Sequence, residues 1–250
     1  MSNNIMPFIL TIIAGFSTML GLIPIYFKFK NINKFISASL SFASGVMLTL
    51  SITDLLPEGL TLLKTNFNDV LAVILLFIFL IVGIIISMLI DYLLPKVELY
   101  DKRLYKVGLV SMIAIIMHNI PEGILTFVVG TTNKTLALSI TIAIALHNIP
   151  EGISIAVPIY YSTKSKLKAF LYTLISALSE PIGALIAFLF LRKFNTTILL
   201  GILFASIAGI MMQISLCELL PTSIKYNYKK ITLISFITGI ILTLINLIFF

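Results

Sequence analysis

His118-Asn119-Ile120-Pro121-Glu122-Gly123 and His147-Asn148-Ile149-Pro150-Glu151-Gly152 are one hexapeptide written twice, 29 residues apart. They hold the only two histidines of the chain. Each copy lies inside a long apolar run, 105–129 and 135–160. A helix needs roughly 20 apolar residues to cross a hydrocarbon core, so both runs read as membrane spans. Ionisable residues within a span are costly to keep and mark a functional site.

The same reading extends to the rest of the chain. Further apolar runs cover 7–27, 36–57, 70–94, 168–191, 197–220 and 230–250, which makes eight spans. Of 250 residues, 59% are hydrophobic and only 11% charged, with a mean hydropathy of +1.13. Soluble domains carry roughly 25% charged residues. No polar stretch is long enough for a separate soluble domain, so residues 1–250 read as a single polytopic membrane domain. Backbone groups in lipid must be satisfied internally, and only helices fit these runs. The start of the chain lacks the basic segment of a secretory signal, and the first run reads as a retained span. One cysteine, Cys217, excludes a disulfide scaffold and a thiolate zinc site. Cys217 itself reads as a small buried hydrophobe.

Thirteen of the 17 basic residues fall in alternate loops: Lys28 to Lys34, Lys96 to Lys106, Lys164 to Lys168 and Lys225 to Lys230. The other four are Lys64, Lys134, Arg192 and Lys193. The positive-inside rule predicts that the first set is cytoplasmic and that both termini are extracellular. The net charge of +7 is thus accounted for by cytoplasmic loops and implies no nucleic-acid partner. Gly45, Met47, Ser51, Asp54, Leu55, Leu56 and Pro57 recur as Gly209, Met211, Ser215, Glu218, Leu219, Leu220 and Pro221, always 164 residues on. The two segments cross in opposite directions. This is the mark of an inverted repeat, a common construction of secondary transporters.

Helical geometry of about 100° per residue puts Asn119 about 100° and Glu122 about 40° from His118. Each Glu of a hexapeptide lies between its His and its Asn. It can share one ion with the His and a second with the Asn. These residue types suit divalent metals. Pro121 and Pro150 remove one backbone bond each, from the carbonyls of Met117 and Leu146, and Gly123 and Gly152 permit close helix approach. Glu180, before Pro181, lies another 29 residues beyond Glu151. One span plus one short loop returns a residue to similar depth, so Glu122, Glu151 and Glu180 should converge on three helices. With no Lys or Arg at mid-span, three carboxylates must be protonated or hold cations. Metal uptake would then displace protons and depend on pH. Rates that stay flat from about pH 5 to pH 8 would contradict this.

Asn119 and Asn148 read either as ligands or as helix–helix glue. Asp54 and Glu218 read as secondary sites, gates or pathway residues. Asp91 reads as a solvated helix end, and Met47 as core.

Eight spans, a His-Asn-x-Pro-Glu-Gly in the fourth and in the fifth, and Glu180-Pro181-Ile182-Gly183 in the sixth resemble the ZIP family of divalent metal transporters. The compact size and the His-Asn form of both motifs resemble its bacterial branch. The resemblance covers essentially the whole chain. It implies a ZIP-like bundle, a cell-membrane location and a mid-membrane binuclear centre. One site would use His118, Glu122, His147 and Glu151, the other Asn119, Glu122, Asn148, Glu151 and Glu180. It also implies alternating access and transport of Zn²⁺ into the cytoplasm, with Fe²⁺, Mn²⁺, Co²⁺ and Cd²⁺ as further cargo. Many relatives carry a His-rich loop after the third span. Here Pro95 to Lys106 has no His. The partners expected are the metal ions and membrane lipid, with no catalytic cofactor, and the oligomeric state, a homodimer included, stays open. A metal-selective channel and an intramembrane metalloenzyme are the alternatives. The latter lacks the His-Glu-x-x-His of helical zinc proteases.

Overall fold

The computed structural model describes residues 5–93, 102–132, 134–190 and 196–249. The linker 94–101 and Arg192 and Lys193, which entered the charge argument, lie outside the described residues, as do the ends of the third, sixth and eighth spans. Among the described residues, eight helices are long and apolar enough to cross a membrane. They are α1 (Ile5–Tyr26), α2 (Ile32–Lys64), α3 (Asp69–Leu93), α4 (Lys102–Thr131), α5 (Ala137–Thr163), α6 (Lys166–Phe190), α7 (Thr197–Ile224) and α8 (Lys229–Ile248). The helices overrun the apolar runs, most clearly in α2, because helical backbone bonding continues after hydropathy falls.

Two interruptions come from proline chemistry. Pro57 and Pro221 have no N–H to close the preceding turn. The chain answers with a wide π-helical bulge before each, at Ser51–Leu55 and Ile214–Leu219. The N–H groups of Leu56 and Leu220 reach back to the carbonyls of Ser51 and Ser215. Both bulges sit at the repeat offset of 164. In α1 the α-helix gives way at Thr18 to a 3₁₀ segment that runs to Tyr26. In α6 it breaks at Leu178, three residues before Pro181.

Glycine contacts reveal the symmetry of the whole bundle. A Cβ on Gly45 would strike the carbonyl oxygen of Phe236, and one on Gly209 that of Leu80. A Cβ on Gly83 would strike Ser206 O, and one on Gly239 would strike Phe42 O. Each pair maps onto the other with an offset of 164 between α2 and α7 and of 156 between α3 and α8. Gly123 presses likewise on Glu180 O and Gly152 on Thr18 O, which relates α4 to α5 by 29 and α1 to α6 by 162. A pseudo-twofold axis therefore exchanges α1–α3 with α6–α8 and α4 with α5.

The packing divides into two groups. Helices α1, α4, α5 and α6 pack around the two hexapeptides, while α2 packs on α8 and α3 on α7. The groups meet along two seams, α2 with α5 and α4 with α7. Within the second group, Ser44 and Ser215 exchange hydroxyl-to-carbonyl bonds of 3.0 and 2.7 Å, which ties α2 to the bulge of α7. Helices α3 and α8 are the least covered of the eight. Their Leu and Ile side chains face outward, as the lipid-facing side of a bundle requires.

Candidate metal centre

Both hexapeptides remain helical through their prolines and lie side by side on α4 and α5. Glu122 Oε1 stands 3.1 Å from His118 Nε2, one turn earlier, and 3.2 Å from His147 Nε2 on the neighbouring helix. Glu151 Oε1 is 3.7 Å from His118 Nε2. The imidazole centroids are 6.1 Å apart. His118, Glu122 and His147 each offer a ligand atom within 4.8 Å of the others. All three are buried. The angular argument had placed each Glu beside its own His. The tertiary structure adds that one carboxylate oxygen serves both histidines.

The second half of the cluster is held by α6. Asn148 Nδ2 donates to Glu180 Oε1 and to Ala14 O, the latter at 3.0 Å. Glu180 lies within electrostatic reach of Glu122 and Glu151, so the three carboxylates do converge from three helices. Asn119, Asn148, Glu151 and Glu180 are completely buried. Yet the Asn119 amide, Asn148 Oδ1, both Glu151 oxygens and Glu180 Oε2 have no hydrogen-bond partner among the described residues. A buried polar group left unpaired costs about 1–3 kcal/mol. Several such atoms around carboxylates suit cation ligands better than helix–helix glue. The pseudo-twofold gives Asn119 the position opposite Thr18 that Asn148 holds opposite Glu180, so only one of the two asparagines has a carboxylate partner.

A cavity of about 390 Å³ leads to this cluster. Its walls include Thr53, Asp54, Glu58, Glu122, His147 and Asn246. It extends toward the end of the bundle that carries few lysines. The bulge in α2 brings Asp54 within electrostatic reach of Glu122 and both histidines. A second cavity of about 380 Å³, mostly apolar, touches His147 from the side between α5 and α8.

Several residues stand differently from the sequence reading, or were not singled out by it. Cys217 is exposed, because the bulge rotates it away from the core. Asp91 is ion-paired to Lys106 at 2.5 Å rather than freely solvated. Met47 is core, as read. Glu58 and Asn246 line the cavity and were passed over. Glu58 could have been found, since it follows Asp54 by four residues on one helical face. Asn246 Nδ2 donates to Ala143 O across the seam at 3.1 Å.

A polytopic helical membrane protein with a buried cluster of His and Glu donors, reached by a cavity that carries Asp54 and Glu58, belongs to the class of metal-ion transporters. Comparison with known proteins agrees: a family model described as ZIP Zinc transporter matches residues 96–247, and the chain belongs to the ZIP family. It is 41% identical to the zinc transporter ZupT of Chlorobaculum parvum, over all of both chains. It is 39% identical to the ZupT of Clostridium perfringens, over 100% of this chain and 98% of that one. The ZupT of Streptococcus mutans is 40% identical over 97% of each. Eight apolar crossings and this kinship make the chain a multi-pass protein of the bacterial plasma membrane.

Proposed function

We propose that this protein carries divalent metal ions, zinc foremost, through the membrane by alternately exposing the centre formed by α4, α5 and α6. The observation that carries the reading is the convergence of His118, Glu122 and His147 donor atoms within 4.8 Å at the floor of a cavity. In this reading one ion is bound by His118, Glu122, His147 and Glu151. A second is bound by Asn119, Glu122, Asn148, Glu151 and Glu180. Glu122 and Glu151 bridge them. The paired charges of two ions offset the carboxylates in a site without Lys or Arg.

The lysine-rich loops mark the cytoplasmic face, so the cavity with Asp54 and Glu58 faces outward. These acids concentrate cations at the mouth of the path. Toward the cytoplasmic face the bundle is closed by packed core that includes Val107, Ile115 and Met211. Closure on one side supports a carrier over a channel. The donor set also accepts Fe²⁺, Mn²⁺, Co²⁺ and Cd²⁺, because imidazole, carboxylate and amide do not discriminate sharply among them.

Reconstituted vesicles test the reading. Zinc accumulation should saturate and should disappear in Glu122→Ala and in His147→Ala. Flux that rises without limit as zinc is raised would make the protein a channel. A panel of competing metals ranks the cargo.

A further inference from the structure

The pseudo-twofold axis converts the open outer cavity into its image at the lysine-rich end. Asp54 becomes Glu218 and Glu58 becomes Thr222 at 164, Ile140 becomes Ser111 at 29, and Thr243 and Leu247 become Ser87 and Asp91 at 156. The image is a polar strip running from the end of the bundle toward the hexapeptides. Among its members, Ser111 and Ser87 are fully buried. The Ser111 hydroxyl has no hydrogen-bond partner among the described residues. An orphaned hydroxyl in packed core is costly, and it is explained if water reaches it in another state of the protein.

Two members of the strip are gripped by the first turns of α4. Arg103 Nε donates to Thr222 Oγ1 at 2.9 Å, and Lys106 Nζ meets Asp91 Oδ1 at 2.5 Å. Glu218 lies within electrostatic reach of both cations. Thr222 and Asp91 belong to the group of α2, α3, α7 and α8, whereas α4 belongs to the group that carries the hexapeptides. The two contacts therefore fasten one group to the other. At the opposite end the equivalent positions on the fifth span's side are Thr132 and Thr135, which bear no charge. The bundle is closed where these two positions are Arg103 and Lys106 and open where they are Thr132 and Thr135.

We propose that Arg103 and Lys106 form a latch that shuts the lysine-rich mouth of the metal path, and that its release opens a polar vestibule lined by Glu218, Ser87 and Ser111. The latch rests on the carrier reading given above. Two cations fixed at the mouth also repel a divalent ion until α4 moves. Once Lys106 leaves Asp91, that carboxylate faces the vestibule beside Glu218 and the local charge becomes negative.

The test reads accessibility rather than flux. Ser111→Cys is placed in a Cys217→Ala background and expressed in inside-out and right-side-out membrane vesicles. A membrane-impermeant maleimide is then applied. Joint Arg103→Gln and Lys106→Gln substitution should raise the labelling rate in inside-out vesicles by about three- to tenfold. That is the factor two partly exposed polar contacts contribute to an opening equilibrium. Lys106→Asp should also label fast, and adding Asp91→Lys should return labelling to the slow rate. Labelling unchanged by the joint substitution overturns the latch. So does an equal rise in right-side-out vesicles, which would mean general loosening. If Ser111→Cys fails to fold, Ser87→Cys replaces it. Zinc uptake by wild-type vesicles is measured in parallel, so failure of the carrier reading shows there and failure of the latch shows in the labelling.

Discussion

Glu122→Gln offers the sharpest test of the metal centre. One oxygen of this carboxylate stands 3.1 Å from His118 and 3.2 Å from His147, so the substitution removes one charge from two partners at once. Truncating one member of a buried, hydrogen-bonded charge pair costs about 2–5 kcal/mol. At about 1.4 kcal/mol per factor of ten, zinc affinity should fall roughly thirtyfold to several-thousandfold. Because the same oxygen serves both histidines, the loss should not add to that of His147→Ala. The double variant should bind more tightly than the summed losses predict, by a coupling of about 0.5–3 kcal/mol. His118→Ala should couple in the same way. Zinc titration of the purified protein by competition with a fluorescent chelator gives all four corners of each cycle. Circular dichroism melting shows that the variants remain folded. A folded Glu122→Gln whose affinity falls less than threefold would refute the shared-oxygen geometry. Strict additivity with both histidines would refute it as well.

Asn148→Ala removes the donor to Glu180. It should lower bound zinc from two ions per chain to one by elemental analysis, while the His118–Glu122–His147 position still fills. Asp54→Asn with Glu58→Gln should raise the concentration for half-maximal uptake and leave the maximal rate near wild type, and the effect should shrink as salt is raised. Gly83→Val and Gly239→Val each force a side chain onto a backbone carbonyl of the neighbouring helix. Each should destabilise the detergent-solubilised protein by about 1–3 kcal/mol, read as a lower melting temperature. A single cysteine at Asn66, in a Cys217→Ala background, should react with an impermeant reagent added outside intact cells, and one at Lys168 should not.

Much of the site was legible without coordinates. A duplicated hexapeptide in apolar sequence announces itself, because keeping His, Asn and Glu in hydrocarbon requires a reason. The helical period places Glu122 and Glu151 each between the His and the Asn of its own hexapeptide, and the 29-residue interval carries the argument to Glu180. The 164-residue offset between α2 and α7 was visible because both copies retain an acid and a proline. The corresponding relation of α3 to α8 was not. Those helices are runs of Leu, Ile and Phe that exchange freely on a lipid-facing surface, so no shared motif survives. Only the glycine–carbonyl contacts disclose it. Glu58 and Asn246 stayed hidden for a related reason, since a single polar residue in a span gains meaning only when its neighbours on other helices are known.

The sequence by itself determined eight spans, the direction through the membrane that charge predicts for them, and the His, Asn and Glu donors set inside two of them, because these depend on hydropathy and on periodicity along one helix. The tertiary structure alone decided that one Glu122 oxygen meets both histidines, that the π-helical bulge of α2 brings Asp54 within reach of the site, and that Cys217 faces outward. It also decided which end of the path is open. Each of these depends on how one helix is rotated and shifted against another, and the contacts that set this rotation come from residues far apart in the chain.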